Sequence, residues 1–263
     1  MANKYLARED APFGSETWEI LDTTMKEAAT SQLIGRRLLH IEGPFGLGLK
    51  VVPLRDAEVE PGLVASEILP VLLIQKTFTL GMRNLASYER DKIALDTSAV
   101  AEAAIECAHL EDHLIFQGAP RMPGLLTVEG ANEMKLSAWD EIGTAANDII
   151  QAVTALDNAG FHGPYCLALA PDRYNLLFRL YPRGPFSEME HVERMVTGGV
   201  FKAPILESGG VLLASGRQFA SIVLGQDMTI GFIGPAGGEV EFSISESLAL
   251  RIRQPQALCV LKE

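Results

Sequence analysis

Residues 49–80, LKVVPLRDAEVEPGLVASEILPVLLIQKTFTL, constrain what this chain can fold into more than any other stretch. LKVVPLRDAEVE and SEILPVLLIQKTFTL read as two extended arms, turned around PGLVA. Pro53 and Pro70 lack the N–H that a central strand must donate, which demotes both arms to edges. An extended hairpin of this length cannot bury both faces within one subunit of 263 residues. Exposed strand edges invite pairing with another chain. The stretch therefore predicts an arm that lies on a neighbour's surface.

The rest of the composition is ordinary. A chain of 263 residues suits one large domain or two smaller ones, with a sizeable core. Apolar residues make up 48% and charged residues 21%, as in a soluble globular protein. No apolar run approaches the length of a membrane span, so no membrane partner is expected. MANKYLARED carries charges where a signal peptide needs its apolar segment, which predicts a mature N-terminus and a cytoplasmic protein. Cys107, Cys166 and Cys259 are far apart and form no CxxC pair, against a disulfide framework or structural zinc. They read as small buried residues. A net charge of −12 with no Lys/Arg stripe repels phosphate backbones, so nucleic acid is not expected as a partner.

Periodicity gives an α+β chain with three main helices and strands gathered near the end. SETWEILDTTMKEAATSQLIGRR is predicted helical, with Ser15 as N-cap and Trp18, Leu21, Met25 and Ala28 on one apolar face. Asp96 and Thr97 can cap a second helix that runs to about Phe116. AWDEIGTAANDIIQAVTALDNAG reads as a third, stopped by Gly160. YCLALAP is a short buried strand, followed by a short helix from Pro171. Residues 120–137 look irregular or strand-like, and 182–199 mix Pro, Gly and charges. GGVLLAS, FASIVLGQDMTIGFI, EVEFSISESLALRIR and ALCVLK are the late strands.

One motif suggests redox chemistry. AEAAIECAHLEDHLIF (101–116) holds Glu106 and His109 in a Glu-x-x-His arrangement, with His113 one turn on. Di-iron bundles use that spacing to set two ligands on one helical face. At 100° per residue, Glu102, Glu106, His109 and His113 cluster within about 60°. Val100, Ala103, Ala104, Cys107 and Leu114 take the opposite side, so the four polar residues are expected on the wet face. A di-iron site needs further carboxylates from facing helices, and no second Glu-x-x-His occurs. Glu111 falls in the apolar sector and needs a buried partner. GPFGLG lacks the Lys-Ser/Thr ending of a phosphate loop and opens no helix. There is no G-x-S-x-G, and the five histidines have no readable Cys or Ser partner. His191, among Glu188, Glu190 and Glu193, reads as part of a hydrated charged segment. No catalytic residue and no metal ligand set is predicted.

Seven stretches, taken in order, resemble the shell proteins of encapsulin nanocompartments, the linocin-like family 1, which has the HK97-like fold of tailed-phage major capsid proteins. They are LAREDAPFGSETWEILD, QLIGRRLLHIEGPFG, KTFTL before SYERD, EDHLIFQG, GPYCLAL, LGQDMTIGF and SISESLALRI, and they span nearly the full length. The resemblance implies a peripheral P-domain from residues 1–45, 81–135 and 223–263, with the helix to Phe116 as its spine. It implies an extended E-loop over 46–80 and an axial A-domain over 136–222. It further implies a non-enzymatic subunit that self-assembles into an icosahedral homo-oligomer, the smallest such shell (T=1). Cargo protein would enter by a C-terminal targeting peptide, and the family's cargoes are ferritin-like proteins and dye-decolorising peroxidases; a ferritin-like, iron-storing one is expected here.

Carried over residue by residue, the peptide contacts would be Arg36 and Ile230, with His40 where the family often has an acidic residue. Met25 and Ile34 are neighbouring pocket walls by helical position. The segment 180–191 would lie near the five-fold opening, which makes Arg183, Glu188, Glu190 and His191 pore-lining candidates for small solutes. Relatives that bind flavin do so through a Trp and an Arg; Arg83 and Gln75 stand at those positions, so no flavin is expected. Two other readings remain open on the sequence. One is a prophage major capsid protein packaging DNA. The other is a metal-dependent oxidase using Glu106 and His109, or a hydrolase.

Overall fold

The computed structural model describes residues 4–182 and 184–263. The chain forms two compact units. Unit one is Met1–Leu33, Gly43–Glu111 and Val223–Ala249; unit two is Ile34–Glu42, Asp112–Ile222 and Leu250–Glu263.

Two 3-10 turns (Lys4–Leu6 and Arg8–Asp10) precede helix α1 (Ser15–Gln32), the short α2 (Gly35–Leu38) and strand β1 (His40–Glu42). Then come β2 (Val51–Glu60), β3 (Leu63–Pro70), β4 (Leu72–Gly81), α3 (Met82–Asp91) and α4 (Ser98–Phe116). Short strands β5 (Gly118–Ala119), β6 (Met122–Pro123) and β7 (Asn132–Lys135) lead to α5 (Thr144–Asn158), β8 (Tyr165–Leu169), α6 (Pro171–Leu176) and α7 (Glu188–Met195). The chain closes with β9 (Gly199–Lys202), β10 (Gly210–Ala214), β11 (Ala220–Leu224), β12 (Thr229–Ala236), β13 (Glu239–Ile252) and β14 (Leu258–Lys262).

In unit one, β12 and β4 flank β13 antiparallel, with Phe232 and Phe78 both opposite Phe242. Phe78 stacks on Phe242 at 5.1 Å, and Trp18 meets it edge-on at 6.0 Å. Leu21, Met25 and Ala29 of α1 are buried at helical spacing. The spine α4 buries Val100, Ala104 and Cys107 completely, as its periodicity predicted. Asp96 accepts the Ser98 N–H at 3.0 Å, at the start of that helix.

The two extended arms are present as an antiparallel β2–β3 hairpin. The hairpin ends at Pro70, earlier than the sequence suggested. Leu72–Gly81 is a separate strand, held along β13. Gly62, at φ 81°, makes the turn, and its N–H reaches Glu58 Oε1 at 3.0 Å. Pairing slips between Pro53 and Asp56, where proline supplies no donor.

In unit two, one sheet runs β7-β14-β10-β8-β9. Every residue of β8 and β10 is buried. Ile149, Ala152 and Leu156 of α5 join the same core cluster as Leu167, Leu212 and Cys259.

Three helix expectations need correction. The first helix stops at Gln32 instead of continuing to Arg37. In unit two the Asp112 carboxylate collects the N–H groups of Ile34 (2.9 Å) and Gly35 (2.8 Å), which starts α2 as a separate turn. A Cβ on Gly35 would stand 2.4 Å from Ile115 Cδ1, so a larger residue there would have to push that side chain aside. Ser15 is the first helical residue, not the cap; Gly14 is the cap, and its N–H goes to Glu89 Oε1 at 2.8 Å. The third helix begins after Gly143 (φ 101°), because Trp139, Ser137 and their neighbours form a loop around Asp148. FASIVLGQDMTIGFI is likewise two strands, β11 and β12, broken near Gln226, whose N–H goes to Ser247 Oγ at 2.9 Å.

Candidate functional site

The hairpin is exposed along most of its length. Val51, Leu54, Val59, Leu63, Val64 and Ile68 are all exposed, while Val52 and Leu69 alone among its apolar branched side chains are buried. Its cross-strand polar pairs, Arg55–Glu67 at 3.0 Å and Ser66–Asp56 at 2.7 Å, hold the ribbon's shape. They do not cover its apolar side chains.

A second site lies in unit two, at Leu180–Met195. Leu180 pairs with Ser187, and the Tyr181 N–H donates to the Phe186 carbonyl at 3.0 Å, closing a loop. Ser187 and Glu190 then form a reciprocal capping box that starts α7. The sequence carried that S-x-x-E signal, and the helix it announces was missed. A pocket of about 420 Å³ opens here, bounded by Tyr181, Phe186, His191 and Arg194. His191 meets the Tyr181 ring edge-on at 5.6 Å, and Arg194 lies over Phe186 at 5.7 Å.

The pore-lining set is therefore split. Glu190 and His191 are exposed. Arg183 lies outside the described residues. Glu188 is a correction: it is fully buried, paired with Arg179 at 3.0 Å, and accepts the Gly143 N–H at 2.7 Å. A carboxylate spent on a guanidinium and a helix N-terminus inside its own subunit is not presented to solvent.

The peptide-binding set also divides. Arg36 is half-buried on α2 and His40 is exposed on β1, both in unit two. Ile34 is buried in unit two, 6% exposed. Met25 (2%) and Ile230 (0%) are buried in unit one. An apolar anchor needs accessible surface, so these three are core residues rather than ready-made pocket walls. Gln75 and Arg83 are exposed on β4 and α3.

On α4, Glu102, Glu106, His109 and His113 are exposed, on the wet face. Glu106 pairs with Lys76 at 2.8 Å, and that hydrogen bond lowers its carboxyl pKa. His109 Nε2 lies 3.4 Å from Gln32 Oε1. Glu111 is fully buried and has an interaction partner. Among the described residues no three His, Cys, Asp or Glu side chains gather where they could hold a metal ion. All three cysteines are free and buried, and burial pushes the Cys107 thiol up to about 12 and Cys259 to about 11. Among the same residues no helix is long and apolar enough to cross a membrane.

Two networks were invisible in the sequence. Asp148 Oδ2 receives Trp139 Nε1 at 2.7 Å together with the N–H and hydroxyl of Ser137, each at 2.8 Å. Glu42 binds Arg251 and, at 2.9 Å, Arg253. Burial works against Glu42's charge, but hydrogen bonds from Ser221, Arg251 and Arg253 outweigh it and bring its pKa down to about 2.

Known proteins share the fold. Residues 3–249 match the family described as Linocin_M18, encapsulating protein for peroxidase. The type 1 encapsulin shell protein EncA of Myxococcus xanthus is 32% identical over 276 residues, which cover 98% of this chain and 96% of that protein. A ferritin-like–encapsulin shell fusion protein of Pyrococcus furiosus is 30% identical over 201 residues, 76% of this chain and 55% of the fusion. The solved virus-like particle from Pyrococcus furiosus superposes with a TM-score of 0.79 at 26% identity, covering 94% of this chain and 100% of that one. Tailed-phage capsids, such as that of Myoviridae phage XM1 at 15% identity, share the HK97-like fold alone. With a family match over residues 3–249 and a relative 32% identical over 98% of its length, the chain belongs to the encapsulin shell proteins.

Proposed function

We propose that copies of this chain close into the smallest icosahedral shell (T=1) in the cytoplasm, and that the shell encloses a ferritin-like protein. The observation that carries assembly is the hairpin: six exposed apolar side chains on a two-stranded ribbon with free edges. Such a ribbon is marginal alone and an aggregation hazard unless another chain covers it. Closed symmetry covers every copy once and leaves no edge over. The hairpin would act as the E-loop (46–80), with a P-domain of 1–45, 81–135 and 223–263 and an A-domain of 136–222. The ferritin-like cargo is supported by the Pyrococcus furiosus relative, whose shell sequence is fused to a ferritin-like one.

In this reading the subunit is a wall and not an enzyme, and it carries no flavin, since Gln75 and Arg83 offer no aromatic platform. Glu190 and His191, with Arg183, would line an opening and bias which ions pass. Arg36 and His40 would meet the cargo's C-terminal peptide, and many weak sites would add by avidity. The test is the native size of the purified protein. A megadalton peak and uniform hollow spheres in negative stain are expected; monomers or small oligomers alone would overturn the proposal. Mass spectrometry of particles from native cells identifies the enclosed protein, and a cargo that is not ferritin-like removes that part only.

A further inference from the structure

The aromatic pocket of unit two, about 420 Å³ at Leu180–Met195, has no occupant in the shell reading. Its volume is that of a small-molecule site. Its shape is fixed from two sides. The loop is pinned by the Leu180–Ser187 bridge and the Tyr181 N–H, and the Gly184 N–H reaches back to the Tyr181 carbonyl at 3.3 Å. Opposite the loop, Glu190, His191 and Arg194 lie within about 100° of one another on α7 and line one wall. His191, edge-on to Tyr181, extends the aromatic surface. Tyr181 is half-buried, but Phe186 is 52% exposed, so much of its ring is open to a ligand.

Charge selects the ligand's polar end. Glu190 spends Oε2 on the Ser187 N–H at 3.0 Å and its charge on the start of α7. Glu188 is buried on Arg179, and Glu193 does not line the pocket. Among the described residues Arg194 makes no ion pair; its guanidinium lies over the Phe186 ring at 5.7 Å. A planar fork of donors beside two rings matches a carboxylate carried on a ring. The π-faces meet Tyr181 and Phe186 while both oxygens reach one guanidinium. An aliphatic acid would leave the rings unused, and an aromatic cation would be repelled by Arg194.

We infer that this pocket binds a small aromatic carboxylate, its ring against Tyr181 and Phe186 and its carboxylate on Arg194. The site belongs to a single subunit, so neither shell closure nor its failure decides it.

The test uses the full-length protein in its native state, with particle size followed separately by light scattering. The probe is 2-naphthoate, measured by equilibrium dialysis at low salt. Two controls divide its features: 2-naphthylmethylammonium keeps the ring and reverses the charge, and cyclohexanecarboxylate keeps the charge without the ring. Saturable binding of 2-naphthoate at one site per chain is expected, at least tenfold tighter than either control. Arg194→Gln should erase the preference for the anion over the cation. Phe186→Leu keeps an apolar side chain and should erase the preference for naphthoate over the cyclohexane acid; Arg194→Gln carries the test if this variant does not fold. No saturable binding, or binding of either control as tight as naphthoate, overturns the inference. So does naphthoate binding that Arg194→Gln leaves unchanged, which would place the ligand elsewhere on the chain.

Discussion

The hairpin β2–β3 and the strands β8 and β10 share branched apolar residues and end in opposite environments. In β8 and β10 each residue is buried, between neighbouring strands and against α5. In the hairpin, six apolar side chains stay exposed. A strand buried on both faces reads as a continuous apolar run, and YCLAL and GVLLA do. The hairpin interleaves its apolar residues with Arg55, Asp56, Glu58 and Glu67, so one subunit can never enclose it. The sheet's folding energy is internal. In the proposed shell, the hairpin's would come from a neighbour that covers it, at roughly 1 kcal/mol or more for each side chain half-covered.

The sharpest way to break this contrast is to charge the hairpin. Val64→Asp with Ile68→Asp should abolish particles in size-exclusion chromatography and light scattering, while circular dichroism and the melting of the free subunit stay unchanged. Loss of the subunit's own fold would mean that the hairpin is internal after all. The reverse experiment strikes unit two. Glu188→Ala leaves the half-buried Arg179 with only its bonds to backbone carbonyls and the Gly143 N–H unanswered, which should cost about 1–3 kcal/mol in urea denaturation. If ion passage changed and stability did not, Glu188 would belong to a channel and the burial reasoning would fail.

The same contrast explains what could be read from sequence. Long periodic elements were legible: the hairpin arms, the buried faces of α1 and α4, and the late strands. Glu102, Glu106, His109 and His113 fell on the wet face because 3.6-residue geometry leaves little freedom. Helix ends were harder, since they depend on partners distant in sequence. Asp112 ends the first helical run from 77 residues away, and Asp148 holds Trp139 in a loop that reads locally as helix. Helix α3 was missed because its ten residues are mostly polar and only Leu85 and Tyr88 are buried, so few apolar positions mark its inner face. The burial of three peptide-binding candidates was hidden for a different cause. Pattern alone marks Met25, Ile34 and Ile230 as apolar, and nothing local tells core from groove.

An acid titration sharpens the account of unit two. Glu42 has a folded-state pKa of about 2, below its ordinary 4.5. A depressed carboxylate contributes stability that is complete above about 4.5 and fades as pH falls toward about 2. Wild-type melting should drop across that window, and Glu42→Gln should start lower and fall less steeply. Parallel curves would show that Glu42's bonds to Arg251 and Arg253 do not survive in solution.

The smallest effect is expected on the helix that looked like an iron site. Glu106 is held by Lys76 at 2.8 Å, and His109 makes a long contact to Gln32. Both are exposed, where ion pairs contribute little and salt screens them. A metal at Glu106 would have to displace an ammonium already in place, with no third ligand gathered nearby among the described residues. Glu106→Gln and His109→Ala should therefore leave melting and particle yield unchanged, and cargo-free particles should oxidise iron(II) no faster than buffer before or after either change. A rate that rose with the wild-type protein and vanished with His109→Ala would return chemistry to this helix. It would also require ligands from a neighbouring copy, because one helix face alone supplies too few.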